Sequence, residues 1–222
     1  PPLVSELVTS DVRNSRTEVR ATRVEEPLQI DGRLDESVYA IARPVSGFIQ
    51  QLPDEGEPSS ERAEVWLFFD NENIYISARC YDRAPPHEWV ANEMRRDVGQ
   101  LRNNDSFSVM LDTFHDRRNG VAFLVNPIGG FSDFAISNEG ARVNTDWNTI
   151  WDSRTDRFSD GWTVEIRIPF KSLRYRPMKV QTWGIQLRRI IQRRTEAAYL
   201  TALPISAAQG NSVIAGLWRV SL

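Results

Sequence analysis

Three aromatic and four charged side chains have the types and positions that sugar recognition needs. The rings stand near segments that the sequence predicts to be loops, and the charged residues are their candidate partners: Trp147, Trp151 and Tyr199, with Arg95, Arg96, Asp105 and Glu196. A flat ring covers the apolar C–H face of a pyranose, and carboxylates and guanidinium groups hydrogen-bond its hydroxyls. These residues therefore form a candidate carbohydrate site. The alternative is that the two tryptophans pack the edge of the fold and the charged groups are only solvated.

Acidic and amide side chains crowd three predicted turns, where calcium ligands are often found. The groups are Asp70, Asn71 and Glu72; Asn103, Asn104 and Asp105; and Asp112 with Asp116. Calcium takes oxygen ligands from such loops. No EF-hand spacing is present, and polar turns are ordinary in β proteins. The sequence therefore leaves a structural calcium ion and plain turns as alternatives.

The two histidines, His87 and His115, lie in separate predicted loops and show no His-x-x-x-His or similar spacing. Without such spacing, a zinc or haem site built by this chain alone is not favoured. Axial haem ligands could come from the three methionines, Met94, Met110 and Met178, although Met110 stands at an alternating strand position. A haem- or metal-binding sandwich stays as a further alternative.

Motifs for catalysis are absent from the sequence: it contains no Gly-x-Ser-x-Gly elbow, P-loop or dinucleotide-binding glycine pattern. A glycosidase needs only two facing carboxylates, one of them desolvated. Asp105 and Glu165 could supply such a pair. However, Glu165 alternates with apolar positions beside Arg167, which favours a cross-strand ion pair. We therefore predict a non-catalytic protein.

The charge of the chain argues against nucleic acid as a partner. Its 222 residues include 27 Lys and Arg against 30 Asp and Glu, for a net charge of −3. The strongest basic cluster is Arg188, Arg189, Arg193 and Arg194. Adjacent strand residues point to opposite faces, so this cluster is no single stripe and predicts salt bridges instead. The single cysteine, Cys80, excludes an internal disulfide and is predicted to be a buried apolar residue.

The stretch from Asn103 to Ile136 must position the candidate site. Two turn segments separate three apolar runs in it. The first segment ends in Asn119-Gly120, and the second contains Pro127 with two glycines. This is the pattern of a β-meander with tight returns. Residues 61–82 predict a hairpin, since alternate apolar residues face each other across a polar turn.

Further strands are predicted around this centre, near Val19 and over 48–52, 149–153, 160–170, 182–192, 196–203 and 213–220, with a short helix from Ser37 to Ala42 capped by Asp35. One face of the 61–82 hairpin carries four aromatic rings: Trp66, Phe68, Tyr75 and Tyr81. Either a second layer or a ligand must cover them. We predict one domain over 19–222, preceded by a terminal arm or linker over 1–18.

Several strings resemble the family 9 carbohydrate-binding module-like domain, in the version placed at the N-terminus of Gram-negative proteins whose C-terminal part is predicted to be an outer-membrane β-barrel. They are IDGRLDESVY, AEVWLFFDNENIYISARCYD, NDSFSVMLDT, RRNGVAFLVNPIGG, DGWTVEIRIPFKSL and WGIQLRRIIQRRTEA. The resemblance covers roughly residues 22–220. It implies an all-β, jelly-roll-like antiparallel β-sandwich with short helical excursions.

The resemblance also implies a ligand. In the family, two aromatic rings sandwich a terminal sugar and calcium supports the loops. The first ring would align at Leu101 and Arg102, and the second near Thr201, with Tyr199 the nearest ring; Asp105 matches an acidic position of the pattern. The expected partner is therefore a glycan or oligosaccharide.

The expected location follows from the same resemblance: an exported protein of the periplasm or cell surface, associated with the outer membrane. No stretch approaches the ~18–20 apolar residues of a membrane-spanning helix, and no signal peptide pattern is present. The chain starts at Pro1, which is expected of a mature or excised segment. The alternative function is a structural or protein-interaction domain that caps its own C-terminal barrel and has no sugar site.

Overall fold

A computed structural model describes residues 18–205 and the backbone of residues 218–221. These residues form two packed β-sheets with one short α-helix, α1 (Ser37–Ile41). The predicted N-terminal arm lies outside the described residues except for Glu18, as do residues 213–217 of the strand predicted over 213–220. No helix in the described part of the chain is long and apolar enough to cross a membrane.

The larger sheet has nine strands, and the predicted meander forms its middle. The order is β1-β14-β12-β6-β7-β8-β9, and β13 joins β12 to β3. The strands are β1 (Glu18–Arg20), β3 (Ile49–Leu52), β6 (Ser106–Asp112), β7 (Gly120–Val125), β8 (Phe131–Ser137), β9 (Arg142–Asn144), β12 (Thr182–Ile191), β13 (Glu196–Tyr199) and β14 (Trp218–Ser221).

The smaller sheet has five strands in the order β10-β11-β5-β4-β2 and contains the predicted hairpin. The strands are β2 (Thr22–Arg23), β4 (Ala63–Phe69), β5 (Asn73–Tyr81), β10 (Asp152–Phe158) and β11 (Gly161–Pro169). The all-β sandwich is thereby confirmed. Two strand pairs, β1–β14 and β2–β4, are parallel, whereas the other pairs are antiparallel as predicted.

The main core lies between the sheets, and the alternation of each strand decides which side chains enter it. Val109 and Leu187 from the larger sheet meet a layer that includes Ile76 and Val164 from the smaller one. Cys80 is fully buried in the same core, as predicted, and its burial raises the pKa of the thiol. It is an apolar packing residue in this position.

Helix α1 and the chain before it cover the aromatic face of the hairpin, so a protein layer and not a ligand occupies most of that face. Tyr39 of α1 lies edge-on to Trp66 at 5.6 Å and to Phe68 at 5.3 Å between ring centroids. Burying rings of this size stabilises the fold by roughly 2–3 kcal/mol each. The predicted cap is wrong: Glu36 precedes the helix and makes no side-chain capping bond.

Candidate functional site

The outer face of the larger sheet carries a row of side chains aligned across five strands. The row runs, from β13 to β8, through Tyr199, Arg188, Ser108, Leu124 and Ser132. Their neighbours along the strands, Leu187 and Val109, point into the core, so this row points away from it. We call the row, together with Arg102 and Phe134 beside it, the platform.

Arg188 is a platform residue whose guanidinium has no hydrogen-bond or ion-pair partner within the described residues. Its guanidinium lies over the Tyr199 ring, 5.7 Å from the centroid, and its buried Nε has no hydrogen-bond partner. Within the described residues the guanidinium makes no ion pair. A planar guanidinium has five N–H donors and recognises oxygen acceptors well. The buried Nε is out of reach of a ligand, but the terminal Nη groups, which make no hydrogen bond within the described residues, can donate to a ligand that rests on this face.

A second guanidinium flanks the platform on the side of β8. Arg102, at the end of the 3₁₀ turn Gly99–Asn103, is exposed and lies over the Phe134 ring, 5.8 Å from the centroid. The half-buried Ser108 and Ser132 contribute hydroxyls between the two arginines. The platform thus presents two cationic donors and two hydroxyls above a floor of Met110 and Leu124.

Tyr199 is the one predicted site residue that belongs to the platform, but its ring is not bare. Only 5% of the residue is exposed, because Arg188 covers one side and Leu52, Ile190 and Leu203 pack around it. A sugar therefore cannot stack directly on this ring as predicted, because the Arg188 guanidinium lies above it.

Trp151 is a core residue, so its predicted role as a stacking ring is wrong. It directly precedes β10 and packs edge-on against Phe123 and Phe131, at 5.0 and 5.1 Å between ring centroids. Its indole Nε1 donates to Asp133 Oδ1 at 3.1 Å. The ring is inside the sandwich, where no ligand reaches it.

Arg96 has a structural role: it links β8 to the loop before β10. Its guanidinium donates to Asp133 Oδ1 at 2.7 Å, and to Asn148 Oδ1 and the Thr149 carbonyl in the loop before β10. Arg95, next in sequence, pairs with Glu93 at 2.7 Å and lowers the pKa of that carboxyl to about 2. Neither arginine reaches the platform row.

Asp105 and Glu196 are buried and fasten loops. Asp105 accepts the backbone N–H of Gln192 at 2.6 Å and of Val90 at 3.1 Å, and burial raises the pKa of its carboxyl. Glu196 accepts the Ser59 hydroxyl at 2.7 Å and the Ser60 N–H at 3.0 Å. Their exposures of 3% and 2% leave no carboxylate surface for a sugar.

Trp147 and Trp151 both pack on the Phe123 ring, and Arg96 binds the loop residues that follow Trp147. Trp147 lies at the end of the sheet where β6 finishes and β7 begins, whereas Asp105 stands at the entrance to β6. The seven predicted residues therefore do not form one cleft. The proposed glycosidase pair does not face either: Glu165 lies on the outer face of the smaller sheet and is bound by Tyr39 and two backbone N–H groups. The expected ion pair of Glu165 is absent among the described residues.

Two carboxylates of the turns predicted to hold calcium make hydrogen bonds of their own within the described residues. In them, no three His, Cys, Asp or Glu side chains come together in a way that could hold a metal ion. The turn carboxylates serve their own turns instead: Asp70 accepts N–H groups of Glu72 and Asn73, and Asp112 accepts those of Asp116 and Arg117. The calcium ion therefore stays a prediction.

The predicted salt bridges of the basic cluster are confirmed for three of its four arginines. Arg189, Arg193 and Arg194 pair with Asp82 or Glu61, at N–O distances from 2.7 to 3.6 Å. Arg188 points to the opposite face and is excluded from this network. Sequence reasoning thus missed Arg188, Arg102, Ser108 and Ser132, although the alternation in TWGIQLRRII already separates Arg188 from Arg189.

Solved structures show where this fold occurs, although no protein-family model and no curated protein matches the sequence. A family 9 carbohydrate-binding module from Caldicellulosiruptor kristjanssonii in complex with glucose has a TM-score of 0.66 at 18% identity, over 93% of this chain and 95% of the other. The same kind of module with cellotriose gives 0.64 at 18% identity, over 91% and 93%. A structure from Bacteroides uniformis, described as a candidate carbohydrate-binding protein, gives 0.68 at 9% identity, over 92% and 98%. Such identities speak for the fold alone, and the chain has the fold of family 9 carbohydrate-binding modules.

Proposed function

We propose that the protein is a carbohydrate-binding module that holds a glycan on the platform. The observation that carries the proposal is the half-buried Arg188, whose guanidinium makes no hydrogen bond or ion pair within the described residues and whose cross-strand neighbour is Ser108. A sugar offers many hydroxyl oxygens to such donors, and charge-assisted hydrogen bonds are stronger than neutral ones. The binding needs no covalent chemistry. The fold shared with modules solved with glucose and cellotriose supports the choice of sugar as ligand.

We expect Arg188→Gln to weaken glycan binding about tenfold or more, because the variant loses the charge and most of the fork of N–H donors. Calorimetric titration with glucose, cellotriose and a panel of other oligosaccharides measures the dissociation constant. Backbone amide shifts in an NMR spectrum then locate the site, and the strongest shifts should fall on β6, β8 and β12.

The matched control is Arg43→Gln, which removes an equally charged, exposed arginine beside the far end of α1. It should bind the sugar as the unmodified protein does. Equal weakening in both variants, or shifts confined to other surfaces, would contradict the platform. No binding to any glycan in the panel would remove the proposed function and favour the interaction-domain alternative.

We extend the proposal to the cellular setting that the sequence resemblance implies, an exported module associated with the outer membrane and adjacent to a β-barrel. The supporting observation is the set of strings quoted above, which cover most of the described sheets. Fractionation of cells that express the native protein tests it. Recovery with the outer membrane would support the setting, and recovery with the cytosol would contradict it.

A further inference from the structure

A groove of 380 Å³ lies at the end of the sandwich away from Asp105 and the entrance to β6. Its walls include two aromatic residues, Trp147 and Phe114, two cationic residues, Lys171 and Arg174, and two polar ones, Asn119 and Thr149. The predicted platform ligand would not fill it, because the platform lies on the outer face of the sheet and this groove opens at its end. We call it the end groove.

The walls of the end groove are held together by hydrogen bonds that cross from one segment to another. The Thr113 hydroxyl donates to the Arg174 carbonyl. The Thr149 hydroxyl donates to the Ser172 carbonyl at 3.1 Å, and the Ser172 hydroxyl donates to the Ile150 carbonyl at 2.6 Å. The groove is therefore formed before any ligand arrives, which lowers the ordering cost of binding.

The end groove is positively charged, although the whole chain carries a net charge of −3. No Asp or Glu stands among its lining residues. Within the described residues, the charged groups of Lys171 and Arg174 make no ion pair. Three acids lie close to the lining without belonging to it. Asp112 is buried and accepts backbone N–H groups of its own turn, Asp133 pairs with Arg96 and accepts the Thr149 N–H, and Asp116 accepts the Asn119 side-chain amide at 2.8 Å. The field in the groove therefore favours an anion.

The two rings add an apolar requirement to this charge. Trp147 is half-buried and held edge-on against Phe123, 6.2 Å away between ring centroids, so its ring has a fixed position. Phe114 is 42% exposed at the mouth. Aromatic rings beside two cationic side chains fit a ligand that has a flat C–H face and carries a negative charge.

We propose that the end groove binds an anionic pyranose, such as a uronic acid unit or a sugar phosphate, through Trp147, Lys171 and Arg174. The site is separate from the platform and does not depend on it. Carboxylate and phosphate share the chemistry that the two cations recognise, and the experiment distinguishes between them.

The experiment titrates the protein with galacturonate oligomers, glucuronate, glucose 6-phosphate and neutral glucose at constant ionic strength. Tryptophan fluorescence and calorimetry follow the binding. We expect saturation with at least one anionic sugar and a change in emission that Trp147→Phe removes. Lys171→Gln combined with Arg174→Gln should weaken that binding about tenfold or more. Preference for the uronates or for the phosphate identifies the source of the charge.

The matched control is Arg176→Gln combined with Lys179→Gln, which removes two exposed charges that follow Arg174 in sequence and do not line the groove. All four positions are exposed, so both double variants should fold, and circular dichroism checks this. The proposal is overturned if the two double variants lose affinity equally, because general attraction to a basic stretch then explains the binding. It is also overturned if no anionic sugar binds, or if Arg188→Gln abolishes the binding while the groove variant leaves it unchanged.

Discussion

Asp133→Ala should lower the free energy of unfolding by about 3 kcal/mol, since it removes the acceptor at the centre of a buried network. The carboxylate is fully buried. It accepts the Arg96 guanidinium at 2.7 Å, the Trp151 indole N–H at 3.1 Å and the Thr149 backbone N–H at 2.8 Å. Alanine leaves all three donors without this partner. Arg96 is partly exposed and regains water, which keeps the expected loss at the low end for a broken buried pair.

The control for this prediction is Asp152→Ala, which removes a carboxylate that pairs with two arginines. Asp152 pairs with Arg154 at 2.8 Å and Arg167 at 3.3 Å, but it is solvent-accessible. Surface pairs of this kind contribute less than about 1 kcal/mol. Urea unfolding followed by tryptophan fluorescence measures both variants. Similar losses in the two would show that the buried position of Asp133 adds nothing.

Asp133 also connects stability to the proposed ligand sites. Through Arg96 and Thr149 it fixes the loop before β10, and this loop carries Trp147 into the end groove. Asp133→Ala should therefore weaken binding in the end groove more than binding on the platform. Titrating the folded variant with the same two classes of sugar checks this difference.

Alternation with period two made most strands predictable from sequence. The hairpin of β4 and β5 and the meander of β6, β7 and β8 appear at the predicted places, because one face of each strand is buried and its apolar residues recur at every second position. Alternation does not say which strands share a sheet. Hence the placement of the hairpin in one sheet and the meander in the other needed the three-dimensional structure.

The candidate site was less predictable, because residue type and nearness to a loop do not reveal burial. Trp151 and Asp105 stand beside loops but are buried, and each satisfies a partner inside the fold. Arg188 was hidden by its three neighbouring arginines, which do form the expected ion pairs. Whether a given guanidinium has an acid within reach depends on which strand packs beside it, and a single sequence does not contain that information.

Glu165 makes the stability of the protein depend on pH. It lies fully buried beneath the chain that leads to α1, where Oε1 accepts the Tyr39 hydroxyl at 2.7 Å and Oε2 accepts the N–H groups of Asp31 and Gly32 at 3.0 and 2.9 Å. Burial raises the pKa of Glu165 from 4.5 to about 7, against the opposing effect of these hydrogen bonds. The folded protein thus holds this proton more tightly than the unfolded chain.

The direction of the pH effect follows from that difference. Below pH 4.5 both states are protonated, and the contribution of Glu165 to stability is fully present. As the pH rises towards 7 the unfolded state loses its proton first, so the free energy of unfolding falls, by at most about 3 kcal/mol for a shift of this size. Above pH 7 both states are ionised and the contribution stays lost.

We expect Glu165→Gln to remove this slope, since glutamine has the shape and the hydrogen-bonding pattern of the protonated acid but does not titrate. Its carbonyl oxygen can accept the N–H groups of Asp31 and Gly32, and its amide can donate to the Tyr39 hydroxyl, which can then donate to Ser77. Urea unfolding at several pH values from 4.5 to 8 gives two curves of stability, and their difference cancels the other titrating groups. The variant should gain stability relative to the unmodified protein as the pH rises to 7. Parallel curves would mean that Glu165 keeps an ordinary pKa, and that its three hydrogen bonds fully offset the cost of burying its charge.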